Sequence, residues 1–171
     1  MTELCTKISS QTADIMQVIK NNGFEYKQSY ITFETYFSHS QSVLNLQNLL
    51  ENSVVIKHNQ NSKQSYILHK SKTQTICTQI EDAKIAKQIL NSAGLFAWCE
   101  YTLTNTIFDS QDIEINLCTV FEVGDFLKIK SDKKDKNQLV EIIKKMGIKT
   151  DEDFDINIGA EYYKKNYEEN I

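Results

Sequence analysis

A chain of 171 residues with 40% apolar and 25% charged side chains is long enough to bury one core without disulfide or metal staples. Its formal charge of −4 argues against nucleic acid as the main partner. No apolar run approaches the roughly 18 residues of a membrane span, and the opening MTELCTKI lacks the apolar stretch of a signal peptide, so a single domain over 1–171 in the cytoplasm, with no membrane partner, is expected.

In chain order, the first segment, 3–8, sets Leu4 and Ile8 against Glu3, Cys5 and Lys7, the period-2 pattern of a strand with one polar face. A helix is predicted over about 11–22, with Ile15, Val18 and Ile19 on one face and Gly23 as its stop. Strands follow at 30–37, 53–58, 64–71 and 73–77. A second helix is predicted from a capping box at Thr78-Gln-Ile-Glu81, with Ala86, Ile89, Leu90 and Ala93 as its packed stripe and Gly94 as its end. Strands at 96–104, 112–118 and 125–131 come next, the last alternating Lys128 and Lys130 with Leu127 and Ile129. The third helix opens at Asp135 with Gln138 three residues on, packs Leu139, Ile142, Ile143 and Met146, and stops at Gly147; a fourth is placed at 159–169. Eight strands with helices between them indicate an α+β fold, mainly antiparallel, with the helices on the Ile/Leu/Val side of the sheet.

The polar positions run in an order that resembles a known family. Glu3-Leu-Cys5-Thr-Lys7 matches an opening ExExK except at Cys5, and Glu34-Thr-Tyr36-Phe37 matches D-x-Y-F. Val54-Val55-Ile56-Lys57 stands for L-R-I-R, and Tyr66-Ile-Leu-His-Lys70 for a strand ending in lysine. The stretch from Leu117 to Lys130, with Cys118, Val120, Val123, Gly124 and Phe126 in place, resembles the closing strand pair L-D-x-V-x-x-L-G-x-F-x-E-I-E. Met146-Gly147-Ile148 and Glu161-Tyr162 fit two later landmarks. The ordered set is similar to the CYTH, or triphosphate-tunnel, superfamily of class IV adenylate cyclases, thiamine triphosphatases and inorganic triphosphatases. That resemblance implies a closed or nearly closed eight-stranded antiparallel β-barrel with helices packed outside. It implies a polar interior that takes triphosphate and a divalent metal, Mg or Mn in an active member.

The departures fall on that interior. Cys5, Cys118, Lys128 and Lys130 stand where the family has acids, Thr73-Gln-Thr75-Ile-Cys77 where it has a basic residue and two acids, and Val55 where it has an arginine. Glu3 and Glu34 remain as metal ligands, too few for a cation that wants several hard oxygens. The whole chain has no arginine, so phosphate recognition would fall to lysine point charges. Lys7, Lys57, Lys70, Lys128 and Lys130 are the candidate anion ligands, set against Glu3, Glu34, Glu100 and Glu114. Two outcomes follow: a metal-free anion tunnel, or an interior closed by its own ion pairs. Cys5, Cys77 and Cys118 either hold a soft metal or fill space left by a lost ligand. The four cysteines, at 5, 77, 99 and 118, form no CxxC pair or disulfide framework. The expectation is a CYTH-like protein without metal-dependent catalysis or a cofactor, binding or regulatory in role, with a nucleotide or polyphosphate as ligand. A working cyclase or triphosphatase, and a structural module that binds a protein partner on its exterior, are the alternatives.

Overall fold

The structure is a computed structural model that describes residues 1–9, 12–39, 46, 50, 53–70 and 75–168. Its strands are β1 (Thr2–Lys7), β2 (Glu25–His39), β3 (Val54–Asn59), β4 (Ser65–Lys70), β5 (Thr75–Ile80), β6 (Leu95–Ser110), β7 (Ile113–Val120) and β8 (Gly124–Ser131). The helices among the described residues are α1 (Thr12–Asn21), α2 (Ala83–Ser92), α3 (Lys136–Met146) and α4 (Ile158–Tyr163), the last followed by a π-helical turn, Lys164–Glu168. The architecture is α+β, with one eight-stranded antiparallel sheet in the order β1-β8-β7-β6-β2-β3-β4-β5. Among the described residues no hydrogen-bonded pairing joins the end strands β1 and β5, so the sheet is not closed by its ladder. The outer edge of β1 is covered instead by 149–156: Cys5 N–H donates to the Phe154 carbonyl, and Ile156 N–H donates to that of Cys5.

The chain packs as two compact units, one of Met1–Ser29 with Thr104–Glu161, the other of Tyr30–Leu103 with Tyr162–Ile171. In the first unit, alternation decides which face each residue takes. Leu4, Ile115, Leu117, Leu127 and Ile129 turn to one side and join Ile15 and Ile19 of α1 and Leu139, Ile143 and Met146 of α3 in a single apolar cluster. Burial of that face, at about 25 cal/mol per Å² of apolar surface, is what holds the helices to the sheet. α3 starts as its sequence indicates. The Asp135 side chain accepts from Gln138 N–H, the Gln138 side chain returns to the Asp135 N–H, and Gly147 closes the helix at φ 74°.

The second unit departs from expectation in α2. β5 runs through Thr78 to Ile80 in register with β4, so the expected capping box at Thr78–Glu81 does not form. β-branched residues favour the strand there, and Asp82, whose side chain accepts from Lys84 and Ile85 N–H, is the N-cap in its place. The expected stripe of Ala86, Ile89, Leu90 and Ala93 is not buried either: Ala86 and Leu90 are half-buried, Ala93 is exposed and Ile89 is 62% exposed. β2 and β6 are longer than the sequence pattern indicates because their polar ends still pair within the sheet. The expected strand at 73–77 lies partly outside the described residues, Thr73 and Gln74 among them.

Candidate functional site

In the first unit, strand register assembles a polar face opposite the helices. Across β1 and β8, Glu3 lies beside Lys130, Cys5 beside Lys128 and Lys7 beside Phe126. Across β7 and β8, Glu114 lies beside Lys130, Asn116 beside Lys128 and Cys118 beside Phe126. Lys7, Lys128 and Lys130 therefore share one face, and Lys130 stands between two carboxylates. Its Nζ meets Glu114 Oε1 at 2.9 Å. Lys7 Nζ is 3.8 Å from Glu161 Oε2 of α4, a partner no residue pattern pointed to because it sits on a separate helix far along the chain.

The thiols on this face are poor ligands. Burial, opposed by the nearby Lys128 ammonium, pushes Cys5 up to about 12, which leaves a neutral thiol at ordinary pH. Cys118 is buried, with its sulfur 3.6 Å from Asn105 Oδ1, which also accepts from Asn116 Nδ2 at 2.9 Å. Asn116 Oδ1 is buried without a hydrogen-bond partner.

The second unit holds a different constellation. Glu34 and Lys57 are cross-strand partners, with Nζ and Oε1 2.7 Å apart, and Glu34 is 3% exposed. Its other oxygen accepts from the Tyr101 hydroxyl at 2.9 Å and the Tyr36 hydroxyl at 3.4 Å. Burial first, and then the charge of Glu34, raises both phenols well above the ordinary tyrosine value. Aromatic rings surround this group: Tyr36 meets Trp98 edge-on at 5.5 Å, and Tyr101 lies tilted against Tyr162 at 5.2 Å. Trp98 is core, its indole N–H donating to Ser53 Oγ at 2.9 Å.

Glu100 does not join this group. It bonds Thr35 Oγ1 and Lys87 of α2, and Thr35 alternates with Glu34 along β2, so Glu100 belongs to the opposite face. Lys70 ends β4 opposite Thr75, but its side chain lies outside the described residues. Cys77 is exposed on β5. His58 and His69 are half-buried on the face away from Lys57, bonded to Ser65 Oγ and to the Ser53 carbonyl.

This donor set does not fit a divalent metal of the Mg type. Such a cation needs several ionised oxygens without competing positive charge. Here Lys130 lies between Glu3 and Glu114, Lys57 holds Glu34, and Cys5 keeps its proton. Among the described residues no three His, Cys, Asp or Glu side chains are grouped to hold a metal ion, and no helix is long and apolar enough to cross a membrane.

No protein-family profile and no curated protein match the chain significantly. Solved structures do. The PH1819 protein of Pyrococcus horikoshii OT3 superposes at TM-score 0.79 with 18% identity, covering 100% of both chains. A candidate adenylate cyclase from Vibrio parahaemolyticus matches at TM-score 0.71 and 15% identity over 98% of this chain and 95% of its own. A candidate adenylyl cyclase from Hippeastrum with a dominant triphosphatase activity matches at TM-score 0.57 and 10% identity over 87% and 89%. The chain therefore shares the fold of these solved structures.

Proposed function

We propose that this is a CYTH-like protein that binds a nucleotide or polyphosphate through lysines and serves a regulatory role without metal-dependent catalysis. The observation that carries the reading is the register of β1, β8 and β7. Lys128 and Lys130 stand among Cys5, Glu3, Asn116 and Glu114, and the Glu114 carboxylate is already paired with Lys130. Phosphoryl transfer depends chiefly on electrostatic stabilisation of the moving group, and a metal is its usual source. Lys7, Lys57, Lys70, Lys128 and Lys130 are the proposed anion ligands. The barrel form belongs to the same proposal, with the sheet's polar face lining the ligand site. Four free cysteines fit a reducing, cytoplasmic setting.

A thermal-shift panel of tripolyphosphate, nucleoside triphosphates and thiamine phosphates, each with and without Mg, tests it. Polyphosphates are expected to raise the melting temperature equally with and without Mg, and less as salt is added. Lys128→Ala and Lys130→Ala are expected to weaken that response while leaving the fold intact. Loss of stability in these variants, with no ligand response in the parent, would mean an interior that only pairs with itself. Mg- or Mn-dependent cyclisation of ATP or hydrolysis of triphosphate, abolished by Glu3→Gln, would make the protein an enzyme and overturn the proposal.

A further inference from the structure

The second unit carries a run of aromatic rings that the anion reading leaves unused. Tyr101 stacks on Tyr36 at 6.0 Å, and Tyr36 meets Trp98 edge-on at 5.5 Å. Trp98 meets Tyr163 at 5.3 Å, and Tyr163 stacks on Tyr167 at 5.1 Å. Each step lies within the contact range of paired rings. The two ends differ. At the inner end Tyr101 is buried, and its hydroxyl donates to Glu34 Oε2 at 2.9 Å. At the outer end Tyr167 is 45% exposed. Trp98, the protein's one tryptophan, stands in the middle, its indole N–H donating to the Ser53 hydroxyl.

We infer that these five rings form a one-electron relay between the surface at Tyr167 and a radical site at Tyr101. The oxidant it serves is a one-electron acceptor arriving from solvent, of the class of oxygen-centred radicals. Tyr167 is oxidised first and gives its proton to water. It recovers an electron from Tyr163 and a proton from water, and the electron hole passes through Trp98 and Tyr36 to Tyr101. Tyr101 then loses one electron to the relay and its phenolic proton to Glu34, along the hydrogen bond already present. The net change is one electron to the oxidant and one proton to Glu34, leaving a neutral tyrosyl radical. The hole comes to rest at Tyr101 because an oxidised phenol is a strong acid and a carboxylate stands beside it. The acceptor on the Trp98 N–H is only a neutral hydroxyl. Burial raises the Tyr101 phenol well above the ordinary tyrosine value, so the proton it must give is present at neutral pH. Burial also keeps the radical from coupling with another chain. This relay stands apart from the anion reading.

The test is flash oxidation of the full chain by photogenerated tris(bipyridine)ruthenium(III), a complex too bulky to enter the core. Radicals are read by freeze-quench electron paramagnetic resonance. The variants are Tyr101→Phe, Trp98→Phe, Tyr163→Phe and Glu34→Gln, with Tyr26→Phe as control because Tyr26 is 51% exposed and lies in the other unit. The parent is expected to hold a long-lived tyrosyl signal that is lost in Tyr101→Phe and kept in Tyr26→Phe. Trp98→Phe and Tyr163→Phe each keep an aromatic ring in place but break the relay, so both should lose the signal. Tyr163→Phe decides the matter if Trp98→Phe disturbs packing. Glu34→Gln still accepts a hydrogen bond but takes no proton, so its signal should decay faster. The inference is overturned by a parent without a long-lived signal, or by a signal that survives Tyr101→Phe. Survival in both Trp98→Phe and Tyr163→Phe, or unchanged decay in Glu34→Gln, overturns it as well.

Discussion

Glu34 is the side chain on which the second unit depends most at the level of single residues. A carboxylate 3% exposed is tolerable only because Lys57 and Tyr101 meet its two oxygens at 2.7 and 2.9 Å. Lys57→Met strands it, and urea unfolding is expected to show a loss of about 2–4 kcal/mol. Glu34→Leu added to Lys57→Met should recover part of that loss, because a neutral apolar pair no longer carries a desolvated charge. A second residue-level expectation concerns Glu100, which the Lys87 ammonium, and then the Thr35 hydroxyl, hold below the usual carboxylate range. A depressed folded-state value means the pair stabilises the protein above the unfolded-state value and loses that contribution as pH falls through the folded one. Acid titration of thermal stability should therefore show a small destabilisation, starting just below the ordinary glutamate range, that is missing in Glu100→Gln. The cysteines separate by burial. Cys77 is exposed, whereas Cys5 and Cys99 are buried and pushed up to about 12. A thiol reagent at about pH 8 should label Cys77 quickly and the three buried thiols only after unfolding.

Among elements, α3 and α2 show opposite degrees of commitment. α3 has a capping box, a glycine stop in the left-handed region and three fully packed side chains. Asp135→Ala and Gly147→Ala should each cost about 1 kcal/mol, one through lost backbone partners and one through strain at positive φ, measurable by chemical denaturation. α2 buries no side chain, and its Lys87–Glu100 bond is a surface pair. Ile89→Lys is therefore expected to change stability by no more than about 0.5 kcal/mol. A larger loss would mean that the isoleucine is covered by something other than the described residues.

For the molecule as a whole, the eight strands, the α+β class and the helix-covered side of the sheet were legible because they follow from local pattern. Alternation between Leu127, Ile129 and Lys128, Lys130 decides which face each residue takes in any sheet that buries one side. The caps of α3 are local chemistry as well. What the chain order alone determined was therefore the element sequence and, along the strands, the polar and apolar faces. Which charges meet was decided by the tertiary structure. Glu161 reaches Lys7, Thr35 meets Glu100, and Tyr101 caps Glu34, all through contacts between segments far apart in the chain. The physical reason is range: strand periodicity acts over a few residues, whereas an ion pair needs two side chains within about 4 Å, and only the packed fold supplies that proximity.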